Sequence, residues 1–372
     1  MANKTENKVQ SLDENRLREI GNLVVDEYNE DVASRTKWME NNKEYFKLFN
    51  GERKRKSIPM LENSSNIIMP LLTVAAIQFQ SRAYDSLIPS NKEVVKALSS
   101  DGTAVDAAER VTKHLNWQLM RDMPKFTEGM DKLCLALPIF GTAYKKTYYD
   151  DVSKKVCSEL INIEDVVSSY YQNDIDDCER ITHAVSLSSN EIMKRIKSNL
   201  FMNADKILKA LKEKQPSASG NLSSFTKELT ETKDSIFGLE SPSNVSDAPR
   251  VFLEQHRLLD LDDDDIAEPY IVMVDLDTRT PVRIVSREYT NPITRKKEAW
   301  NFFTEYTFIP NPVSHYGFGF GIMLRHLNEA ANSILNELID AGNLANGQYG
   351  FYNKKSGIKS GDTQFRRGEL KA

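Results

Sequence analysis

Residues 315–346 read HYGFGFGIMLRHLNEAANSILNELIDAGNLAN, and this stretch constrains the architecture more than any other part of the chain. Three glycines alternate with two phenylalanines over 317–321, and no further glycine or proline follows until Gly342. The pattern predicts one long helix over 321–346. At roughly 1.5 Å per residue, this helix would be about 39 Å long.

The predicted helix carries a narrow apolar stripe. Its members recur at steps of three and four residues, the spacing that buries a seam against another helix. They are Leu324, Leu327, Ala331, Ile334, Leu338, Ala341 and Ala345. We expect the stripe to pack between subunits of a ring or bundle. An ordinary amphipathic helix of a globular domain remains the alternative.

A second stripe on the same helix consists of amides. Asn328, Asn332 and Asn336 recur at steps of four, although asparagine is a mediocre helix former. A long helix that is thinly apolar on one side and lined with amides on another indicates packing in a ring or bundle.

The segment that follows the helix is predicted to be rich in short strands. Glycines at 347, 350, 357, 361 and 368 separate its fragments. Small isolated strand pairs are marginally stable in water, and this segment has no evident packing partner in the sequence. We therefore expect a chain that is either a fragment or folds only within an assembly.

Composition excludes several classes of protein. The 49 basic and 54 acidic residues give a net charge of −5, which argues against tight, indiscriminate nucleic-acid binding. The three cysteines are far apart and form no CxxC, so neither a disulfide framework nor a zinc site is indicated. The polar N-terminus and the lack of an apolar run near 18 residues predict a soluble, cytoplasmic protein without membrane spans.

The remaining pattern predicts the α+β class. Helices are expected over 12–50, from about 64 to 87, over 103–123, over 126–140 and over about 190–212, the last opened by a Ser188–Glu191 capping box. Strands are expected over 143–149, 155–163, 181–187, 251–259, 270–275, 282–289 and 300–308. Residues 215–250 are interpreted as a long, partly mobile insertion that includes a helical stretch over 225–236.

No catalytic constellation is found in the sequence. The run Asp262–Asp265 offers oxygen ligands to a hard cation, but it lacks the glycine and the terminal glutamate of an EF-hand loop. We interpret it as a solvated turn and predict no metal site and no cofactor. The five histidines have no paired-ligand spacing, and structural roles are expected for them. A metal-dependent nuclease using Asp262–Asp265 stays open as an alternative.

Motifs spread through most of the chain are similar to those of one known family. They are Leu48–Gly51, Ser65-Asn66, Pro70-Leu71, Leu115–Trp117, Gly141–Lys145, Glu254–His256, Leu259–Asp262, Tyr316–Gly319, Leu338–Gly342 with Ala345-Asn346, Gly350-Phe351 and Arg367–Glu369. On these residues the chain resembles the portal proteins of tailed bacteriophages, in particular those of the short-tailed podophages.

The resemblance implies a portal-like fold with a mainly helical wing domain carrying β-hairpins over 1–312, a first stem helix over 313–346 and the start of a β-rich clip over 347–372. The family continues with a second stem helix, a tunnel segment and often a crown, which this sequence lacks. Basic residues of the predicted clip are expected to contact a protein partner or DNA; they are Lys354, Lys355, Lys359, Arg366 and Arg367.

The resemblance also implies a function. Such a protein is a non-enzymatic subunit of a homo-oligomeric ring, usually a dodecamer, at one vertex of the viral capsid. The ring docks terminase, the major capsid protein and a neck or tail adaptor, and double-stranded DNA passes through it during packaging and ejection. In such a ring, the neutral amides of Asn328, Asn332 and Asn336 would suit a polar channel wall or a seam between subunits. The expected location is the virion, with assembly in the host cytoplasm. Another capsid or neck structural protein is the alternative.

Overall fold

The computed structural model describes residues 6–52, 65–99, 102, 104–123, 125–172, 174–175, 178–212, 249–262, 264–291 and 293–346. Helices and antiparallel sheets are both present, consistent with the α+β class. Within these ranges, no helix has the length and apolar character needed to cross a bilayer. The predicted insertion over 215–250 falls almost wholly outside the described residues, and the predicted clip over 347–372 lies outside them entirely.

Eight α-helices are described. They are α1 (Glu14–Ser34), α2 (Thr36–Asn50), α3 (Leu71–Leu87), α4 (Val105–Trp117), α5 (Phe126–Phe140), α6 (Ser189–Lys197), α7 (Asp205–Lys212) and α8 (Phe320–Asn346). A 3-10 turn (Lys8–Gln10) precedes α1, and a π-turn (Gln118–Asp122) continues α4. The predicted helix over 126–140 is confirmed, and Gly141 ends it in the left-handed conformation at φ 88°.

The helix predicted over 12–50 is two helices, because the chain breaks at Arg35. The Arg35 side chain is 3% exposed and donates hydrogen bonds to the carbonyl oxygens of Ile163, Glu164 and Val166 at 2.6–3.2 Å. A buried guanidinium must find acceptors, and these carbonyls satisfy it. The break therefore joins the helical layer to the sheet.

Ten strands form three antiparallel sheets. The strands are β1 (Thr142–Asp150), β2 (Lys155–Ile161), β3 (Val166–Val167), β4 (Arg180–Leu187), β5 (Arg250–Leu259), β6 (Glu268–Asp275), β7 (Thr280–Ser286), β8 (Glu288–Thr290), β9 (Lys297–Ala299) and β10 (Phe303–Thr307). Their orders are β3-β4-β5-β6-β7, β10-β1-β2 and β8-β9. The predicted β1–β2 hairpin is confirmed, with Asp150 opposite Lys155.

Helices cover both faces of the five-stranded sheet. Successive residues of a strand point to opposite faces, so Leu253 packs with α1 around Val24, whereas Phe252 packs with α6 and α7 around Ile192 and Ile207. All five side chains are at most 1% exposed. The main hydrophobic core of the described chain therefore lies on the two faces of this sheet.

The helix predicted over 190–212 is also two helices. The capping box is confirmed, because Ser188 Oγ accepts from the Glu191 N–H and the Glu191 carboxylate accepts from the Ser188 N–H. The residues between α6 and α7 include Asn199 and Asn203, which have positive φ values of 58° and 53°. Asparagine tolerates a positive φ better than most residues do. The positive φ of Asn199, two residues after Lys197, ends α6.

The glycines before α8 allow backbone segments to cross closely. A Cβ atom on Gly319 would lie 2.7 Å from the Gly141 nitrogen and 2.8 Å from the Ile139 oxygen. A Cβ atom on Gly321 would lie 2.5 Å from the Tyr45 ring. The GFGFG motif thus lets the chain pass over the end of α5, and α8 begins at Phe320, seven residues after the predicted start of the stem segment at 313.

Candidate functional site: the long helix and its two faces

The amide face of α8 holds an extended segment of its own chain. Side-chain oxygens of α8 accept hydrogen bonds from alternate backbone N–H groups of residues 65–71. The pairs are Asp340 with Ser65 at 2.7 Å, Asn336 with Ile67 at 2.7 Å, Asn332 with Met69 at 2.7 Å and Asn328 with Leu71 at 3.2 Å. We call this arrangement the amide ladder.

The ladder works because two periods nearly coincide. Four residues of an α-helix advance about 6.0 Å, and two residues of an extended strand advance about 6.6 Å. Side chains at every fourth helical position can therefore meet every second N–H of a strand. Asn336 Nδ2 strengthens the contact by donating to the Ile67 carbonyl at 2.9 Å.

The ladder gives the amide stripe a partner within the subunit, and its predicted role in a channel wall or a seam between subunits stays a prediction. Asn328 is 1% exposed. The side-chain oxygens of Asn328, Asn332 and Asn336 accept hydrogen bonds from backbone N–H groups of the same subunit. The sequence revealed the period of the stripe but not its partner, because the partner segment lies more than 250 residues away along the chain.

The apolar stripe lies on another side of α8 and is largely exposed. Leu327, Ile334 and Leu338 are 61%, 66% and 69% exposed, and Ala341 and Ala345 are also exposed. Leu324 and Ala331, at the margin of the stripe, are half-buried. Leucine and isoleucine side chains of this exposure on a regular helix form an apolar surface that water solvates poorly. We refer to this surface as the α8 ridge.

The basic residues predicted for the clip cannot be compared with the structure. Lys354, Lys355, Lys359, Arg366 and Arg367 lie outside the described residues. Their assignment to a protein partner or DNA stays a prediction.

A buried hydrogen-bond network joins the loop before α8 to the three-stranded sheet β10-β1-β2. His315 Nε2 lies 3.0 Å from Ser168 Oγ, and His315 Nδ1 lies 3.3 Å from both Glu305 Oε1 and Tyr144 Oη. The order serine, histidine, glutamate is that of a hydrolytic triad. However, Ser168 is 1% exposed and its hydroxyl also contacts the Tyr316 hydroxyl at 3.3 Å. We interpret the network as structural, fixing the loop from which α8 starts.

Two further histidines, the buried His256 and the half-buried His183, lie beside an ion pair between the sheets. Lys146 Nζ lies 2.7 Å from Glu254 Oε1, which is also 2.9 Å from His256 Nε2. His183 Nδ1 lies 3.4 Å from the same ammonium group. Burial lowers the pKa of His183 to about 3, and Lys146 contributes to the shift. Burial also lowers the pKa of His256.

A cleft of about 220 Å³ opens beside the start of α8. Six of its thirteen described lining residues are aromatic; they are Trp38, Tyr45, Phe140, Tyr170, Tyr316 and Phe318. Among the described residues that line it, Lys37 is the only charged one. No aspartate, glutamate or histidine is among its described lining residues, so the described part of the cleft holds no carboxylate or histidine pair for acid–base catalysis.

The acidic run lies in the loop between β5 and β6. One carboxylate oxygen from each of Asp260, Asp262 and Asp264 falls within 4.8 Å of the others. The sequence analysis predicted a solvated turn here, and the exposure of Asp262 and Asp264 is compatible with that interpretation. Exposed acidic groups of this kind are common without a cation, so the geometry does not by itself assign a metal site.

Comparison with known protein families and with curated proteins gives no match. Functional inference therefore rests on the sequence motifs and on the geometry described above.

Sequence reasoning missed the ladder partner at 65–71, the His315 network and the hairpin β8–β9. One signal was available for the first: residues 64–70 contain two serines, an asparagine and a proline, which favour an extended lead into α3 over a helix. The histidine networks carry no local signal, because their members come from segments far apart in the chain.

Proposed function

We propose that the chain is a portal-type structural subunit that assembles into a ring through the α8 ridge. The observation that carries this proposal is the exposed ridge on a 27-residue helix whose opposite side is fixed by the amide ladder. A rigid helix with one apolar side left in solvent is suited to pack against other copies of itself or against a neighbouring helix.

The energetics favour such a role. Burying a leucine or isoleucine side chain contributes about 1.5–3 kcal/mol. Leu327, Ile334 and Leu338 together would supply a substantial part of a subunit contact, and the alanines at 341 and 345 would permit close approach of helices. In a cyclic assembly, each subunit would repeat this contact around the ring.

The resemblance of the motifs to those of phage portal proteins supplies the biological part of the proposal. The ring would sit at one capsid vertex of the virion, bind terminase, the major capsid protein and a neck or tail adaptor, and let double-stranded DNA pass. Because the side-chain oxygens of Asn328, Asn332 and Asn336 accept hydrogen bonds within the subunit, we propose that other residues contribute to the lining of such a channel.

The test compares the assembly of two variants of the intact chain, each of which carries one added carboxylate on a different side of α8. Leu338→Asp puts a carboxylate on the ridge, whereas Asn343→Asp puts one at an exposed position about 140° around the same helix. Burying an unpaired charge is costly, so Leu338→Asp should prevent ring formation and Asn343→Asp should not. Native mass spectrometry and negative-stain images would measure subunit number and the presence of a central channel.

Two results would contradict the proposal. A parent chain that stays monomeric at all accessible concentrations would remove the ring. A Leu338→Asp variant that forms rings as stable as those of the parent would show that the ridge is not the contact. Closed rings without a channel would favour the alternative of another capsid or neck protein.

A further inference from the structure

The hairpin β8–β9 stands apart from the two larger sheets. Within the described part of the chain, its strands pair only with each other, through Glu288↔Ala299, Tyr289↔Glu298 and Thr290↔Lys297. A two-stranded hairpin alone is marginally stable in water, so additional interactions are needed to order it.

The Glu298 carboxylate supplies those interactions. It accepts hydrogen bonds from the Tyr289 hydroxyl at 2.9 Å, from Asn291 Nδ2 at 2.9–3.0 Å and from Thr294 Oγ1 at 2.9 Å. These bonds hold the pKa of Glu298 below its usual value. At the base, the rings of Tyr289 and Trp300 stack with centroids 4.4 Å apart. The turn is thus held in one conformation from inside.

This ordered turn presents an apolar residue beside basic ones. Ile293 is 89% exposed, the most exposed of the large apolar side chains in the described chain. Arg295 and Lys296 follow it, and neither forms an ion pair with another described residue, whereas Lys297 pairs with Glu288 at 3.2 Å. An ordered turn that exposes an isoleucine beside cations has the composition of a contact surface rather than of a solvated loop.

A complementary surface lies at the same end of the five-stranded sheet. β5 ends at Leu259, β6 begins at Glu268 and β7 ends at Ser286, so the β5–β6 loop and the hairpin emerge together. The loop carries Asp260, Asp262 and Asp264, followed by Ile266, which is 65% exposed. Desolvation raises the pKa of Glu268, and the carboxylates of Asp262 and Asp264 raise it further. The loop is therefore a site of concentrated negative charge beside an exposed isoleucine.

We propose that the turn of β8–β9 in one subunit docks on the β5–β6 loop of the next subunit, a second copy of this chain. The proposal rests on the ring proposed above. Rotation about a ring axis keeps equivalent features at the same level, so two surfaces at one end of the sheet can meet between neighbours. Arg295 and Lys296 would then face the aspartates, and Ile293 would lie near the neighbour's Ile266.

The charges favour a protein partner over DNA. A phosphate backbone approaching the basic turn would also approach the aspartates at the same end of the sheet, and like charges repel. The second copy instead brings those aspartates as the complement.

Charge reversal with rescue tests the proposal on the intact chain. Arg295→Glu/Lys296→Glu reverses the turn, Asp262→Lys/Asp264→Lys reverses the loop, and a fourfold variant combines them. Lys206→Glu/Lys209→Glu, on exposed positions of α7, changes the net charge as the turn variant does and serves as the control. The measurement is the protein concentration for half-assembly, by sedimentation velocity at fixed salt, with circular dichroism confirming the fold.

We expect each double reversal to raise that concentration at least about tenfold, the fourfold variant to restore it and the control to leave it unchanged. The docking would be overturned, with the parent ring intact, by either of two results. One is a turn variant whose half-assembly concentration equals that of the parent, and the other is a fourfold variant whose half-assembly concentration stays raised. A parent without rings would refute the proposed function instead. Loss of binding to a short DNA duplex in the turn variant, with assembly unchanged, would assign the turn to nucleic acid and also overturn the docking.

A cysteine pair gives a second measurement that does not depend on charge. Ile293→Cys combined with Ile266→Cys should yield a ladder of oxidised multimers on a non-reducing gel, whereas either single variant should not. A band that stays at the monomer position in assembled rings would contradict the contact.

Discussion

The Asn332 side-chain oxygen accepts a hydrogen bond from the backbone N–H of Met69 at 2.7 Å, across 263 positions of sequence. This bond is the middle of the amide ladder and ties the segment before α3 to the centre of α8. Because the ladder binds backbone N–H groups, it fixes the position of residues 65–71 without requiring particular side chains in that segment. The position of the exposed ridge follows from this attachment.

Removal of one rung should loosen the attachment. Asn332→Leu keeps the side-chain size and leaves the Met69 N–H without its acceptor, so we expect a loss of about 1–2 kcal/mol in the free energy of unfolding. Amide hydrogen exchange at Met69 should accelerate more than exchange in the sheet. Asn343→Leu, at an exposed position of the same helix, is the control and should change stability by less than about 0.5 kcal/mol. Equal effects of the two substitutions would show that the ladder adds no stability.

Two glycines near or in α8 should respond oppositely to alanine. At Gly319 a Cβ atom would meet backbone atoms of residues 138, 139 and 141 within 2.8 Å, and backbone cannot move aside cheaply. We expect Gly319→Ala to lower the melting temperature by several degrees or to prevent folding. At Gly342 nothing lies within 4 Å, so Gly342→Ala should stabilise the helix by up to about 1 kcal/mol. A harmless Gly319→Ala would mean that the crossing before α8 is looser than described.

Acid should destabilise the protein through His183 and His256, whose pKa values are lowered in the folded chain. The unfolded chain takes up a proton at His183 near pH 6.5, but the folded chain does so only near the lowered pKa of about 3. His183 therefore does not reduce the free energy of unfolding above pH 6.5. Below that pH, the free energy of unfolding decreases as the pH falls toward 3, because the unfolded chain binds the proton more tightly. The lowered pKa of His256 acts in the same direction.

The matching experiment measures the free energy of unfolding between pH 6 and pH 4. His183→Gln should make its dependence on pH shallower by up to about 1.4 kcal/mol per pH unit. His326→Gln, at a side chain that is 87% exposed, should leave the slope as in the parent. If both variants keep the parent slope, His183 does not govern the acid response.

The acidic loop is predicted to bind no structural cation. Millimolar calcium or magnesium should leave the melting temperature of the parent unchanged, as it should that of Asp262→Asn/Asp264→Asn. Removing two like charges from a cluster within 4.8 Å should itself raise stability slightly. A cation-dependent rise in the parent that disappears in the variant would revive the nuclease alternative, and a DNA-cleavage assay would then be the next step.

The sequence by itself determined the elements whose cause is local. The end of α5 at Gly141, the capping box before α6, the β1–β2 hairpin and the length of α8 all follow from turn residues, caps and periodicity over a few positions. The sequence also separated the apolar and amide stripes of α8, because helical geometry alone fixes which residues share a side.

Tertiary structure decided what those stripes contact. The amides of Asn328, Asn332 and Asn336 meet residues 65–71, and Arg35 breaks a helix that local propensity favours because its charge needs the carbonyls of residues 163–166. Pairing between distant segments depends on how the whole chain folds back, and backbone acceptors and donors carry no signature in the sequence. Periodicity can therefore indicate that a surface exists, but only the packing of the remaining chain decides whether that surface is occupied.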